Sequence, residues 1–446
     1  MTEDDKAQDH RLAATVLRGG RLHAMLLELW QRTRLDWGFV SDRLSQTFRR
    51  ETWVGGRERR FLAETLYGLV RHVRRIDAAI ALARRGASNR APRDEERLLA
   101  YFVLDGAITV DAAAVIDATV DWAVVAGIDD ALARERDPVR RLGVACSLPD
   151  WLAARLVRDH GDRAEAIARA LGRRAPMTIR ANRLRTDRDA LATALARHGL
   201  DTTPCALARD GLHVDGRTNL NALPEFTDGL FEAQDEGSQL LAELCGDGPD
   251  LVVDLCAGAG GKTLALAARM GNRGRVVACD VERGKLGELR KRARRAGVTT
   301  VEPLHLADGT WPDALERRRA KVAWVLVDAP CSGVGSLRRH PEVRWRLREA
   351  DVAACAITQR DIARRAATLL APGGRLVYAT CTLLAEENQA VVEALAAERG
   401  LRIVPLAEAW DARAATTATA DGRFLQVDPD RHGTDGFFAA VLEQPR

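Results

Sequence analysis

Two cysteines and one carboxylate occupy positions in the sequence where chemistry can be done. In Trp324-Val325-Leu326-Val327-Asp328-Ala329-Pro330-Cys331-Ser332-Gly333 a short apolar run ends in an acid and then a thiol. Four apolar residues make a buried strand and are too few for a helix. Pro330 has no amide proton and cannot continue a ladder, so Asp328 and Cys331 fall at or just past the strand end. In Tyr378-Ala379-Thr380-Cys381-Thr382 a second apolar run ends in a second thiol. The competing reading is that both cysteines are small buried apolar side chains. Two of them beside a carboxylate suit addition to an electron-poor ring. A thiolate adds to C6 of a cytosine, C5 becomes enamine-like and takes a methyl group, and loss of the C5 proton lets the thiolate leave. Methylation of oxygen or nitrogen needs no such covalent step. The residues leave open which thiol attacks.

A glycine-rich turn supplies the second component. Asp254-Leu255-Cys256-Ala257-Gly258-Ala259-Gly260-Gly261-Lys262-Thr263 follows one apolar run and precedes a helical one. As a phosphate-binding P-loop it fails, because Cys256 stands where the first glycine belongs. As a dinucleotide fingerprint it lacks the third glycine at the required offset. S-adenosylmethionine, a nucleoside with an amino-acid tail and no phosphate, fits a loop that offers close backbone approach without an anion cradle. Cys256, Ala257, Gly258, Ala259, Gly260, Gly261 and Lys262 are the expected loop contacts. Asp280, 22 residues after Gly258 at the end of the next apolar run, is placed to accept from both ribose hydroxyls. Asp308 follows the third run and is placed for the adenine amine. The competing reading is that such acids cap helices.

These groups need a sheet to hold them. From residue 250 onward strands and helices alternate, with strands expected over 251–255, 275–279, 301–305, 322–327, 375–379 and 436–442 and helices between them. Repeated strand–helix units predict a parallel, doubly wound α/β sheet with ligands at its carboxyl edge. Upstream, residues 175–234 read as a small α+β module, entered through Ser147-Leu148-Pro149-Asp150-Trp151 and two helices. Residues up to about 142 read as helical. Residues 56–84 carry Leu62, Leu66, Leu69, Val70, Val73, Ile76 and Ile80 on one helical stripe. The expected domains are 1–145, 146–245 and 246–446.

Composition bounds the class. An apolar fraction of 46% in 446 residues is enough for a buried core in each of several domains. Net charge is +4, almost all of the basic residues being Arg. The eight cysteines are scattered singly, without Cys-x-x-Cys spacing, so no metal is expected. The first residues are acidic and polar, unlike a signal peptide, and no apolar run approaches a membrane span. A reduced cytoplasm and a monomer are the expected setting.

The motifs as they stand in Asp254–Lys262, Asp328-Ala-Pro-Cys331-Ser-Gly-Val-Gly335, Arg338-Arg339-His340-Pro341-Glu342, Thr380-Cys381, Glu386-Glu387-Asn388 and Asp435-Gly-Phe-Phe438 resemble the RNA 5-methylcytosine methyltransferases of the Sun/RsmB family. Arg180-Ala-Asn182 and Gln234-Asp235-Glu236 resemble that family's small RNA-binding module. The helical N-terminal part is similar to its NusB-like domain. The resemblance implies a Rossmann-like class I methyltransferase domain, with Cys381 as nucleophile and Cys331 assisting product release. It also implies that Asp328 contacts the cytosine edge or the methionine end of the cofactor, and that Lys262 lies near either. Ala259, Thr382 and Ala385 depart from residues common in the family, but none of these positions carries a reacting group.

Two basic clusters flank the motifs. Residues 281–296 hold seven Lys and Arg side chains, as compatible with a solvated helix face as with RNA. Arg338, Arg339, His340 and Arg344, with Arg346, Arg348 and Trp345, suggest a backbone-tracking groove with an aromatic for stacking. Small-subunit ribosomal RNA is the expected substrate. Transfer RNA, or a catalytically silent RNA-binding assembly factor on the same surfaces, are the alternatives.

Overall fold

The computed structural model describes residues 3–84, 90–216, 218–246, 250–307 and 311–446. Asp308 therefore lies outside the described residues. The chain forms two compact units, one of Met1–Arg174 with Leu337–Glu349, the other of Ala175–Ser336 with Ala350–Arg446. Among the described residues no helix is long and apolar enough to cross a membrane.

The first unit is helical around Gly56–Ala83, whose stripe of Leu62, Leu66, Leu69, Val70, Val73, Ile76 and Ile80 is buried as its spacing requires. Trp30 and Trp122 fill the same core. The arginines around this helix work largely inside the unit. Arg60 pairs with Asp9 at 3.1 Å, Arg75 with Asp129 at 2.9 Å and Arg74 with Asp150 at 2.5 Å, while Arg71 is buried.

The segment Leu337–Glu349 belongs to this helical unit although its neighbours in sequence belong to the other. Arg344 is fully buried there. Its guanidinium donates to the carbonyls of Arg71 (3.4 Å), Cys146 (3.2 Å), Ser147 (3.3 Å) and Leu171 (3.3 Å). Leu171 and Cys146 stand at the C-terminal ends of Ala164–Leu171 and Pro138–Ala145, where carbonyls have no partner within the helix. Trp345 donates to the Val70 carbonyl at 2.8 Å and packs at a tilt of 36° against Trp37. Arg338 is also buried and donates to the Arg174 carbonyl at 3.2 Å. The expectation that Arg338 and Arg344 contact RNA is corrected by this burial, because five donors in a fixed fork satisfy stranded carbonyls better than water can reach them. Arg339 and His340 remain partly exposed.

The second unit contains two sheets. The small one has order β2-β3-β1-β4, all antiparallel, from β1 (Met177–Ala181), β2 (Thr202–Pro204), β3 (Gly211–Val214) and β4 (Phe231–Ala233). The large sheet runs β10-β12-β9-β8-β5-β6-β7, with β11 paired to β12. Its strands are β5 (Leu251–Asp254), β6 (Arg275–Asp280), β7 (Val301–His305), β8 (Val322–Asp328), β9 (Leu370–Thr380), β10 (Arg402–Val404), β11 (Leu425–Val427) and β12 (Phe437–Glu443). Strands β5 to β9 are mutually parallel, as the alternating pattern predicts. The wholly parallel sheet is corrected at one side: β12 is antiparallel to β9, and β10 and β11 are antiparallel to β12. The last two are three residues each, too short to show a period. Strand order reverses at β5, which lies between β6 and β8, and this is where a doubly wound sheet opens a crevice at its carboxyl edge.

Candidate active site

The carboxyl edge gathers the reactive residues from four strands. Asp254 ends β5, Asp280 ends β6, Asp328 ends β8, and Cys381 follows Thr380 at the end of β9. Strands β8 and β9 are neighbours, with Asp328 opposite Ala379. The adjacency brings Cys331 Sγ to 3.3 Å from Cys381 Sγ. Both thiols are partly exposed, and neither is in a disulfide. The hydrogen bond with Cys381, burial, and the negative charges of Cys381 and Glu387 hold the Cys331 thiol well above its ordinary value, so it stays protonated.

A buried polar network fixes this spacing. Glu387, fully buried, accepts from the Ser332 amide at 2.8 Å, the Ser332 hydroxyl at 2.5 Å and Gln359 Nε2 at 3.0 Å. Gln359 also donates to the Pro330 carbonyl at 2.9 Å. Ser332 Oγ and Thr382 Oγ1 are 2.9 Å apart, and Asn388 ties Thr380 and the Thr382 carbonyl together. The Gly335 amide donates to the Cys381 carbonyl at 2.9 Å, and a Cβ at Gly335 would collide with the Gly436 carbonyl oxygen, so glycine is needed for this approach. Residue pattern did not reveal these roles. Glu386-Glu387-Asn388 was visible as a motif, but only the fold shows that Glu387 spans both thiol loops.

Lys262 and Asp328 form the second pair, Nζ to Oδ2 at 2.6 Å, with Lys262 Nζ also 5.8 Å from the Phe437 ring. Burial alone would lower the Lys262 ammonium, but Asp328 beside it outweighs that and raises it. Lys262 takes Oδ2 and leaves Oδ1 of Asp328 for a ligand. Asp254 lies beneath, 1% exposed, accepting from Thr263 Oγ1 at 2.7 Å. Burial, helped by the nearby charge of Asp328, pushes its carboxyl up to about 7 against that hydrogen bond. Sequence reading took Asp254 only as the start of the loop.

The glycine-rich loop is built to leave backbone bare. Gly260 has φ of +90°, and a Cβ there would lie 2.8 Å from Leu289 Cγ, so only glycine fits. Gly258 has φ of +54°, and a Cβ there would point into open space. The Gly258 amide donates to Asp280 Oδ2 at 2.8 Å, and the Glu282 amide to Oδ1 at 2.8 Å. The loop and the second-strand carboxylate are thus one piece, each carboxylate oxygen keeping a lone pair for a hydroxyl. Arg292 holds the Ala259 carbonyl at 2.8 Å and pairs with Glu232 of β4 at 2.9 Å; Arg295 pairs with Glu232 at 2.5 Å. Two arginines of the first basic cluster therefore join the small module to the loop. Burial and the charges of Asp254, Asp328 and Asp280 keep the Cys256 thiol neutral.

This donor set fits S-adenosylmethionine. Bare backbone beside Gly258 admits a flat nucleoside, Asp280 offers two acceptors for a diol, and the Asp280 and Asp328 carboxylates at the edge suit a sulfonium cation. A phosphate would meet the Asp280 and Asp328 carboxylates at this edge.

Comparison with known proteins agrees. Residues 244–443 match the 16S rRNA methyltransferase RsmB/F family, and residues 148–221 match the ferredoxin-like domain of RsmF/B-like methyltransferases. The chain is 30% identical over 416 residues to a probable ribosomal RNA small subunit methyltransferase B of Synechocystis sp., covering 87% of this chain and 91% of that one. It is 30% identical over 410 residues to the ribosomal RNA small subunit methyltransferase B of Vibrio cholerae, covering 87% and 90%. The crystal structure of PH0851 superposes with a TM-score of 0.75 at 25% identity, covering 94% of this chain and 97% of that one. A methyltransferase homologue from Pyrococcus horikoshii gives 0.59 at 27% identity, covering 69% and 98%. The chain belongs to the RsmB/F family of 16S rRNA methyltransferases, whose methyl donor is S-adenosylmethionine.

Proposed function

We propose that the protein methylates carbon 5 of a cytosine in small-subunit ribosomal RNA through a covalent bond to Cys381. The observation that carries this reading is the 3.3 Å contact between two partly exposed thiols beside the Lys262–Asp328 pair. Methylation at nitrogen or oxygen has no use for such a pair. The Cys381 thiolate adds to C6 of the base, which must be unpaired or flipped out to reach the sheet edge. C5 gains the electron pair of the former C5–C6 double bond. The cofactor supplies the methyl group that C5 takes. Solvent water reaching the partly exposed edge takes the C5 proton, the C–H electron pair re-forms the double bond, the C6–S bond breaks, and the thiolate of Cys381 returns.

The other residues hold this sequence in place. Cys331, kept protonated, stands beside the departing sulfur and assists release. Asp328 binds through its remaining oxygen either the amidine edge of cytosine or the amino-acid tail of the cofactor. Lys262 holds the other oxygen of that carboxylate at 2.6 Å. Asp280 takes the ribose hydroxyls and Asp308 the adenine amine. Arg339 and His340 are the RNA contacts retained from the second basic cluster.

Incubation with methyl-tritiated S-adenosylmethionine and either protein-free small-subunit RNA or bulk transfer RNA tests the assignment. Label recovered as 5-methylcytidine from the ribosomal RNA is expected. Label at another base atom overturns the chemistry, and label only in transfer RNA overturns the substrate.

A further inference from the structure

Among the described residues, one group of metal-ligating side chains lies away from the catalytic edge. Cys205 follows β2, His213 lies in β3 and Glu236 opens the helix Glu236–Glu243. Their Sγ, imidazole nitrogen and carboxylate oxygen all lie within 4.8 Å of one another. We propose that these three side chains form a zinc-binding site in the small α+β module.

Each ligand is already oriented by a neighbour. Glu236 Oε1 accepts from the amides of Leu207 and Ala208, which fixes the carboxylate and turns Oε2 toward His213. His213 Nδ1 is 3.2 Å from Thr178 Oγ1, leaving Nε2 as the inward nitrogen. Such outer partners on histidine and carboxylate are what metal sites use to set tautomer and direction. Gly211 gives the sulfur its room, since a Cβ there would lie 2.6 Å from Cys205 Sγ.

The spacing separates a metal site from a plain ion pair. His213 Nε2 and Glu236 Oε2 are 3.5 Å apart. A charge-assisted hydrogen bond closes to about 2.7–2.9 Å. Two ligands at about 2.0–2.1 Å from one tetrahedral zinc are about 3.4 Å apart. The gap is thus long for a charge-assisted hydrogen bond and right for two corners of a tetrahedron, with Cys205 as the third ligand and water as the fourth.

Charge and chemistry agree. Cys205 is 6% exposed and Glu236 1%. On binding, the thiol proton leaves to solvent, a sulfur–zinc bond forms, and thiolate plus carboxylate neutralise the cation. A sulfur ligand with a histidine selects zinc over magnesium or calcium. Ordinary cysteine-pair spacing does not exist here, because the three ligands come from a strand end, a strand and a helix start.

Cobalt and zinc salts on the full chain test the proposal. Chelator-treated protein titrated with cobalt(II) is expected to develop a near-ultraviolet thiolate-to-cobalt absorption that saturates at one equivalent and is displaced by zinc. The band must persist in a Cys331→Ala/Cys381→Ala double variant and vanish in Cys205→Ala. His213→Gln, checked for folding by circular dichroism, must lose the thermal shift that zinc gives the wild type. Absence of the band in the wild type overturns the site, as does its survival in Cys205→Ala or its loss in the double variant.

Discussion

Cys331 Sγ and Cys381 Sγ stand 3.3 Å apart on the loops that follow two neighbouring parallel strands. The contact is set by main chain as much as by side chain, since Ala329 donates to Ala379 and Gly335 to Cys381, both at 2.9 Å. The thiols are therefore delivered together by the sheet, and what can be varied is how firmly they are held.

Glu387 is the holding group. Replacing it with Ala leaves the Ser332 amide, its hydroxyl and Gln359 Nε2 buried without their acceptor. Glu387→Ala is expected to lower stability by about 3 kcal/mol in urea denaturation. Methyl transfer should fall further than the folded fraction does. A variant with unchanged midpoint and rate would show that the loops hold themselves.

Lys262 and Asp328 act as one unit across 2.6 Å. Lys262→Met is expected to slow single-turnover methyl transfer about 100-fold, the usual scale for losing one preorganised electrostatic partner. Asp328→Asn should cost as much, and the double variant little more than either. Additive losses in that cycle would separate the two residues.

Asp254 gives a pH signature. Its folded value of about 7 lies above the reference 3.8, so the native state binds the extra proton between those values. Stability from this group is full below about pH 4 and falls as pH rises toward 7. Asp254→Asn removes the titration and can still accept from Thr263. The stability of Asp254→Asn relative to wild type is expected to climb across that window, by on the order of 4 kcal/mol at most. A difference that stays flat with pH would contradict the buried-acid assignment. Measuring variant against wild type at each pH cancels every other titrating group.

Arg344 separates structure from RNA binding. Because its guanidinium serves four backbone carbonyls and is fully buried, Arg344→Leu is expected to destabilise the helical unit by about 3 kcal/mol. Filter binding at a temperature where the variant is folded should give the wild-type affinity and salt dependence for RNA. A shallower salt dependence would restore Arg344 as a phosphate contact.

The strand ends were legible because buried parallel strands are short apolar runs, and the polar residues that end them are Asp254, Asp280, Asp328 and the Thr380-Cys381 pair. Helix Gly56–Ala83 was legible from its stripe. Arg338 and Arg344 were misread because basic residues around a tryptophan look alike whether they meet phosphates or stranded carbonyls; only burial distinguishes them. The strand β12 is legible as an apolar run, but its antiparallel direction is set by its pairing with β9, which an apolar run does not encode. Glu387 and Asp254 escaped because an isolated acid in sequence carries no sign of what donates to it.

The central claim is that Cys381 forms the bond to the base and Cys331 helps break it. Wild type, Cys381→Ala and Cys331→Ala are each mixed with small-subunit RNA and S-adenosylmethionine and run on a denaturing gel. The account predicts turnover without accumulated adduct for wild type, neither turnover nor adduct for Cys381→Ala, and a denaturant-resistant protein–RNA adduct for Cys331→Ala. Sustained methylation by Cys381→Ala, or an adduct that forms without that sulfur, would contradict it.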